Sequence, residues 1–158
     1  MKRERKAYKT PTKPWNKQRI EREREIVKNY GLRKKKEIWK FETLLRKFRR
    51  LARALAAKTD SKKEKILLQK MIKLGLLSEG ATLDDVLGLN LEMFLDRRLQ
   101  TVVFKKGFAN SPSQARQFIV HGHVRIGERK ITYPSYIVPK EEELKIKVNI
   151  QPVAKKGV

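Results

Sequence analysis

Cationic side chains dominate this sequence, in which 40 Lys and Arg stand against 17 Asp and Glu, a formal net charge of +23 over 158 residues. Most of the excess falls in residues 1 to 58. So much like charge on a small surface repels itself, and it is typical of proteins that bind nucleic acid. We therefore expect a polyanionic partner, and we expect the chain to reach its working structure with phosphates around it.

Several kinds of site are excluded by the residue types that the sequence lacks or isolates. The chain has no Cys, which rules out disulfides and thiolate zinc ligands. His121 and His123 straddle one Gly without a suitable third ligand, so we predict no metal. Asp96 lies beside Arg97 and Arg98 with no nucleophile or second carboxylate nearby. We interpret Asp96 as an ion-pair partner. We expect that the protein is not an enzyme and that it has no catalytic residue, cofactor or small-molecule substrate.

The distribution of apolar residues argues against a membrane. No apolar run approaches the roughly 20 residues that cross a bilayer, and the N-terminus lacks the apolar core of a signal peptide. The absence of Cys also fits a reducing compartment. We expect a cytoplasmic protein.

The N-terminal region reads as a basic arm followed by a charged helix. Residues 1 to 14 have too little apolar surface to offset the entropy of ordering, so we expect them to be disordered without RNA. Asn16 is a suitable N-cap for a helix that reaches Tyr30, and Gly31 is a natural C-terminal stop. Trp15, just before this helix, is a candidate for stacking on RNA bases.

An apolar stripe marks the next helix, predicted from Lys34 to about Ala57. Apolar side chains recur there at spacings of three and four, which is the pattern of one buried helical face; they are Ile38, Phe41, Leu45, Phe48, Ala52 and Leu55. The other faces are cationic, and we predict RNA contacts by Arg46, Arg49, Arg50 and Arg53. Two shorter helices follow, one opened by a capping box of Ser61 and Glu64 and ending before Gly75, the other from Thr82 to near Gly88.

The C-terminal part changes character. A helical stripe formed by Leu95, Leu99, Val102 and Val103 ends at Gly107, and Ser111 with Pro112 starts a second helix that buries Ala115, Phe118 and Ile119. Residues 123 to 131 read as a hairpin with a Gly127 turn. Strict alternation from Leu144 to Ile150 predicts a strand with Leu144, Ile146, Val148 and Ile150 on its buried face.

These elements predict an α+β protein. We expect a basic N-terminal extension (1–33), a helical lobe (34–92), a module of two helices with an antiparallel or mixed sheet (93–150) and a short tail (151–158).

Three segments carry a resemblance to a known family: Leu95-Asp96-Arg97-Arg98-Leu99, then Ser111-Pro112-Ser113-Gln114-Ala115-Arg116-Gln117-Phe118-Ile119, then His121-Gly122-His123-Val124-Arg125-Ile126. They closely resemble the RNA-binding module named after small-subunit ribosomal protein four. The likeness extends upstream through residues 80–88 into the basic helices. The sequence therefore resembles the archaeal and eukaryotic branch of that ribosomal protein family.

The junction between the two helices of the module is predicted to bind phosphate, because the free N–H groups and the dipole of a helix N-terminus favour anions. The residues predicted to bind RNA there are Lys105, Lys106, Ser113, Gln114, Arg116 and Gln117. Arg125, Arg129 and Lys130 would extend the surface along the hairpin, matched to backbone shape rather than to base sequence. Arg98 is included, although Arg97 or Arg98 could serve the contact with the helical lobe instead. We expect Lys145 and Lys147 to be solvated.

The resemblance implies a structural protein of the small ribosomal subunit. It would bind 16S rRNA, nucleate assembly of the 30S body, contribute to translational accuracy and neighbour ribosomal protein five. Two alternatives stay open at this point: a non-ribosomal RNA chaperone, which the basic arm alone would permit, and the targeting module of an RNA-modifying enzyme. The second would need a separate catalytic domain, for which no segment has the length.

Overall fold

The computed structural model describes residues 6–58 and 60–149, and helices fill its first part. They are α1 (Lys17–Tyr30), α2 (Lys35–Lys58), α3 (Ser61–Lys73), α4 (Leu83–Gly88) and α5 (Leu91–Asp96). As predicted, the side chain of Asn16 caps α1 by accepting a hydrogen bond from the Arg19 N–H, and Gly31 ends the helix with a φ of 58°. The Thr82 N–H donates to the Asp85 carboxylate at 2.8 Å and so opens α4.

The second part contains α6 (Leu99–Lys105), α7 (Pro112–Val120), β1 (Val124–Ile126), β2 (Arg129–Lys130), α8 (Lys140–Glu143) and β3 (Ile146–Val148). The strands form an antiparallel sheet in the order β2-β1-β3. The predicted α+β class is confirmed, and the sheet is antiparallel rather than mixed. Ser111 caps α7 as predicted, because its hydroxyl accepts a hydrogen bond from the Gln114 N–H at 3.2 Å.

Two hydrophobic cores lie in succession along the chain. In the first, the predicted stripe of α2 packs on the other helices, and the rings of Phe48 and Phe94 stack with centroids 6.0 Å apart. The second core joins α6 and α7 to the sheet. The cores separate between Leu95 and Leu99. Ile26 and Leu32, which fall in the predicted N-terminal extension, pack in the first core.

A buried amide joins the two cores. The side chain of Gln100 is fully buried, and its Nε2 donates to the carbonyl oxygens of Tyr30, Gly31 and Pro112 at 3.1, 2.9 and 2.9 Å. Beside it, the Tyr30 hydroxyl donates to Asp96 at 3.2 Å. Burial and the nearby Asp96 charge raise the pKa of Tyr30 to about 12. The end of α1 and the start of α7 are therefore held on α6 by hydrogen bonds.

The N-terminal arm lies against α2. Residues 6–16 form no helix or strand, but the ring of Tyr8 is 5.9 Å from that of Trp39 and the Lys9 N–H donates to the Thr43 hydroxyl at 3.1 Å. We expected this arm to be disordered without RNA, and its contacts with α2 were not predicted. Residues 1–5, and with them the start of the arm, lie outside the described residues.

The structure corrects the predicted start of α3. Ser61 is the first residue of that helix, and Asp60 is the N-cap, with no hydrogen bond from its side chain to the helix. The capping box of Ser61 and Glu64 was therefore a wrong assignment. The helix ends at Lys73, before Gly75 as predicted.

The predicted continuous stripe from Leu95 to Val103 is also wrong, because α5 and α6 are separate helices. Arg98 between them is extended, with φ −70° and ψ 140°. The cause is pairing with a distant segment, since the Leu99 N–H donates to the Tyr136 carbonyl at 2.7 Å and the Val138 N–H to the Arg97 carbonyl at 2.9 Å. Tertiary hydrogen bonds thus replace the helical ones at this point.

The last strand is shorter than predicted. Leu144 is 89% exposed instead of buried, because the Lys145 N–H bonds to the Glu142 carbonyl and continues the α8 turn, so that the strand begins only at Ile146. Ile146 is buried and Val148 half-buried, as the alternation predicts. Ile150 and the tail lie outside the described residues.

Candidate nucleic-acid interface

The N-terminus of α7 forms a polar corner with the end of α6. Gly107 ends the α6 turn with a φ of 77°, which L-residues rarely adopt. The Gln114 carboxamide accepts a hydrogen bond from the Asn110 N–H at 2.7 Å, so the side chain predicted to face RNA also caps the loop. Ser113 and Gln117 are exposed. Free N–H groups at the start of α7 give this corner a preference for anions.

The two lysines at the end of α6 differ in their surroundings. Lys105 is exposed and pairs with Asp96 at 2.9 Å. Lys106 is half-buried, and its ammonium donates to the Glu143 carbonyl. Lys105 therefore reaches the surface of the corner, whereas Lys106 ties α6 to α8.

Arg98 lies in the protein interior rather than on the surface. It is 1% exposed, its Nη2 donates to Glu37 of α2 at 2.6 Å, and its guanidinium lies 5.4 Å from the centroid of the Phe41 ring. Burial lowers the pKa of Arg98, which the Glu37 carboxylate opposes. Of the two roles left open for Arg97 and Arg98, the geometry favours the contact with the helical lobe for Arg98. Arg97 instead donates to Glu143 and to the Val138 carbonyl, which belong to the module itself, at 2.7 and 2.8 Å.

Arg116 shares the same carboxylate but holds it less closely. Its Nη1 is 3.3 Å from both Glu37 oxygens, and its side chain is 26% exposed. Although burial opposes it, the hydrogen bonds and charges of Arg98 and Arg116 lower the pKa of Glu37. Arg116, which the sequence predicts to bind RNA at the corner, therefore also spans from α7 to α2.

Cations line up across the sheet of the module. Arg125 of β1 is paired in register with Lys130 of β2 on one side and with Lys147 of β3 on the other. All three residues are exposed. Residues that face each other across antiparallel strands put their side chains on the same face, where like charges repel. We call Lys130, Arg125 and Lys147 the sheet stripe; it is suited to a row of phosphates.

The remaining hairpin cation is partly engaged. Arg129 donates to Glu142 at 2.7 Å, although its side chain is 69% exposed. Glu142 also accepts a hydrogen bond from the Tyr136 hydroxyl at 2.7 Å. Together with burial, this bond raises the pKa of Tyr136.

On α2, the four predicted arginines have different environments. Arg50 and Arg53 are exposed, and neither makes a salt bridge within the described residues. Arg46 pairs with Glu42 at 3.1 Å. Arg49 is half-buried and its Nη2 donates to the Leu89 carbonyl at 2.6 Å, which ties α2 to the end of α4.

Sequence reasoning missed three features of this surface. It did not single out Glu37, although a lone carboxylate after the run Arg33 to Lys36 was a visible signal. It predicted a solvated Lys147, which is exposed, but it could not place this residue opposite Arg125, because strand register cannot be read from one sequence. It also could not place Lys9 beside Arg46, where both line a pocket on α2.

Trp15 is 89% exposed, as a residue that stacks on bases would be. His121 and His123 are exposed, with ring centroids 6.3 Å apart. Within residues 6–58 and 60–149, no group of three or more His, Cys, Asp or Glu could hold a metal ion. In the same residues no helix is both long and apolar enough to span a bilayer.

Comparisons with known proteins agree with this architecture. A family model described as the ribosomal protein S4/S9 N-terminal domain matches residues 2–96, and one described as the S4 domain matches residues 97–144. The junction of the two models falls where the two hydrophobic cores separate.

Archaeal relatives match over most of the chain, and each carries the name small ribosomal subunit protein uS4. The relative from Methanococcus aeolicus is 57% identical, over 87% of this chain and 80% of its own length. That from Hyperthermus butylicus is 54% identical, over 90% and 82%. That from Korarchaeum cryptofilum is 50% identical, over 90% and 87%. The resemblance inferred from the motifs is confirmed, and the chain belongs to the ribosomal protein S4/S9 family.

Proposed function

We propose that this protein is a structural component of the small ribosomal subunit that binds rRNA through its phosphates, and not an enzyme. The names of its relatives support this function. So does a net charge of +23, because phosphate contacts supply much of the affinity of RNA-binding proteins. Phosphate contacts fix position on the RNA rather than read its sequence.

The sheet stripe carries the proposal. Three cations placed opposite one another on adjacent strands lower the stability of the free protein by mutual repulsion, and a bound polyanion removes that repulsion. The exposed residues Ser113 and Gln117, with Lys105, would add contacts at the α7 corner, and Arg50 and Arg53 would add contacts from α2. Arg98 is not part of this exposed surface, because it is buried.

The finer parts of the function belong to the same proposal. The bound RNA would be 16S rRNA, the protein would nucleate folding of the 30S body and contribute to translational accuracy, and ribosomal protein five would be its neighbour. Its place would be the ribosome of the cytoplasm. In this proposal the helical lobe and the S4 module, which contain the two cores, would each present a cationic surface to the RNA.

Co-sedimentation tests the assignment to the ribosome. The protein should remain with small ribosomal subunits of an archaeon after a high-salt wash, because a structural component is held by specific contacts with folded rRNA in addition to the salt-dependent electrostatic attraction. A free RNA chaperone, bound by nonspecific electrostatics alone, should wash off as the salt rises. Release of this chain at a salt concentration that leaves other small-subunit proteins bound would contradict the proposal.

A charge-removal variant tests the role of the sheet stripe. Arg125→Gln should weaken binding to an rRNA transcript by about tenfold at moderate salt, on the scale of one charge-assisted contact. Because it removes repulsion, it should not lower the free energy of unfolding. The matched control is Lys62→Gln on α3, an exposed residue outside the proposed surface. Equal affinities of the two variants in filter binding would remove the stripe from the interface.

A further inference from the structure

A cleft of about 390 Å³ lies where α2 meets the module. Glu37, Lys40 and Phe41 of α2 line it, together with Arg98, Arg116 and Ser135. We call it the Glu37 cleft. Its volume falls in the range of roughly 300 to 1,000 Å³ that is usual for small-ligand sites.

The charges around the Glu37 cleft are unbalanced. Three cations, Lys40, Arg98 and Arg116, line the cleft with a single carboxylate, that of Glu37. Arg98 and Arg116 share this carboxylate, and Lys40 makes no salt bridge in the described part of the chain. A concave site with excess positive charge attracts anions more strongly than a flat surface does, since its low-dielectric walls focus the field.

Arg98 supplies hydrogen-bond donors that the protein does not use. Its Nη2 is bound to Glu37, but its Nε and Nη1 are buried without a hydrogen-bond partner in the described residues. Buried polar groups in proteins are nearly always paired, so unpaired donors of a cation that lines a cleft need an explanation. An anion seated in the cleft provides one.

Arg116 is the residue that can move toward such an anion. At 3.3 Å from both oxygens its contacts with Glu37 are much longer than the 2.6 Å contact of Arg98, and a quarter of its side chain is exposed. Glu37 would stay paired with Arg98 if Arg116 turned away. The arrangement therefore holds one arginine fixed and leaves the other available.

We propose that the Glu37 cleft is a preformed receptor for one backbone phosphate of the bound RNA, which accepts hydrogen bonds from Arg98 and Arg116 while Lys40 closes the site. The proposal deepens the proposed function and rests on it. RNA is favoured over an acidic protein segment because the chain as a whole carries a net charge of +23, as a protein that binds many phosphates does. The guanidinium fork itself fits phosphate and carboxylate oxygens alike, so the test must separate the two.

The first test compares Lys40→Gln with Lys36→Gln. Both residues are exposed cations of α2, but Lys36 does not line the cleft. Binding to an rRNA transcript is measured over a range of salt concentrations. Lys40→Gln should weaken binding by about five- to tenfold and lower the slope of log affinity against log salt by about 1, as loss of one phosphate contact does. Lys36→Gln should change affinity by less than about twofold.

The second test reads the cleft directly. The Nε–H signal of Arg98 is followed by NMR in the intact protein during titration with a short RNA duplex and, separately, with a polyglutamate peptide. The RNA should shift the signal, and Lys40→Gln should move the titration to higher RNA concentration. A shift with polyglutamate alone would overturn the phosphate assignment in favour of a protein carboxylate.

The two proposals fail in different ways. If the unaltered protein does not bind the rRNA transcript, both are overturned. If it binds, but Lys40→Gln matches Lys36→Gln and the Arg98 signal does not move, only the phosphate site is overturned and the function stands.

Discussion

Four cations of the S4 module and three on the outer face of α2 differ in whether the protein itself pairs them with a carboxylate. In the module, Arg97, Arg98, Lys105 and Arg129 each make a salt bridge with a carboxylate of the chain, at 2.6 to 2.9 Å. On α2, Lys47, Arg50 and Arg53 are exposed and make none within the described residues. These four module cations therefore serve the fold, whereas the three α2 cations, like those of the sheet stripe, make no salt bridge in the described residues and are available to a partner.

The difference shows that a basic residue in an RNA-binding motif need not lie on the exposed surface. Arg98 lies in the most recognisable segment of the chain, and yet it is buried against Glu37 of the helical lobe. Its position couples the module to the other core. Substitutions in the two regions should accordingly separate stability from binding, and the predictions below begin with the largest expected effect.

Removal of Glu37 should affect stability most. Glu37→Ala leaves Arg98 as a buried cation without its carboxylate, which typically costs about 3 to 5 kcal/mol. Chemical denaturation should show this loss in the free energy of unfolding. As a control, Arg116→Gln should cost less than about 1 kcal/mol, because its contacts with Glu37 are long and partly exposed. Similar losses in both variants would mean that the three residues act as one unit.

Gly31→Ala should cause the next largest loss of stability, since the added Cβ lies at the junction between the two cores. Besides the strain of a φ of 58°, the new Cβ would lie 2.7 Å from the Pro112 Cβ. Gly80→Ala is the matched control, because Gly80 also has a positive φ, of 85°, but nothing lies within 4 Å of its added Cβ. Left-handed strain costs about 1 to 2 kcal/mol in either variant, and Gly31→Ala should lose at least about 1 kcal/mol more through overpacking. Equal losses of unfolding free energy in the two variants would show that the junction relaxes to accommodate the added Cβ.

The pH dependence of the free energy of unfolding should be a smaller effect than either substitution, and it should come from the ion pair of Glu37 with Arg98. The pKa of Glu37 is lower in the folded protein than the ordinary value, so its stabilising contribution is fully present above the ordinary carboxyl pKa of about 4.3. It is lost as the pH falls through the lowered pKa. Unfolding free energies of the unaltered protein and of Glu37→Gln should therefore converge below about pH 4. A constant difference between pH 7 and pH 3 would contradict the assigned shift.

The helical lobe shows how far the sequence predicts the structure. The stripe from Ile38 to Leu55 gave α2 almost to the residue, and the caps at Asn16 and Ser111 were correct, because periodicity and capping are local properties. The break at Arg98 could not be predicted, since the hydrogen bonds that cause it come from residues 134–138. The sheet stripe depended in the same way on register, which a single sequence does not contain.

The candidate site follows the same rule. Residue types at the α7 corner were predictable, because N-cap and phosphate chemistry belong to a few adjacent residues. The Glu37 cleft was not, because it joins residues of α2 to residues some 60 to 80 positions later. Contacts between distant segments decide which cations remain on the surface.

The smallest effect on stability should come from the outer face of α2, where the comparison is sharpest. Arg53→Gln removes an exposed cation that has no salt bridge in the described residues, so the free energy of unfolding should change by less than about 0.5 kcal/mol. Affinity for rRNA should nevertheless fall by roughly threefold or more, with a shallower dependence on salt, because one phosphate contact is lost.

Arg97→Gln in the module should behave in the opposite way. Its salt bridge with Glu143 and its hydrogen bond to Val138 are lost, so stability should fall by about 1 to 3 kcal/mol with little change in the salt dependence of binding. Denaturation and filter binding on both variants decide the matter: if Arg53→Gln destabilises the fold, or Arg97→Gln alters only RNA binding, then the cations of the two regions do not divide as the salt bridges indicate.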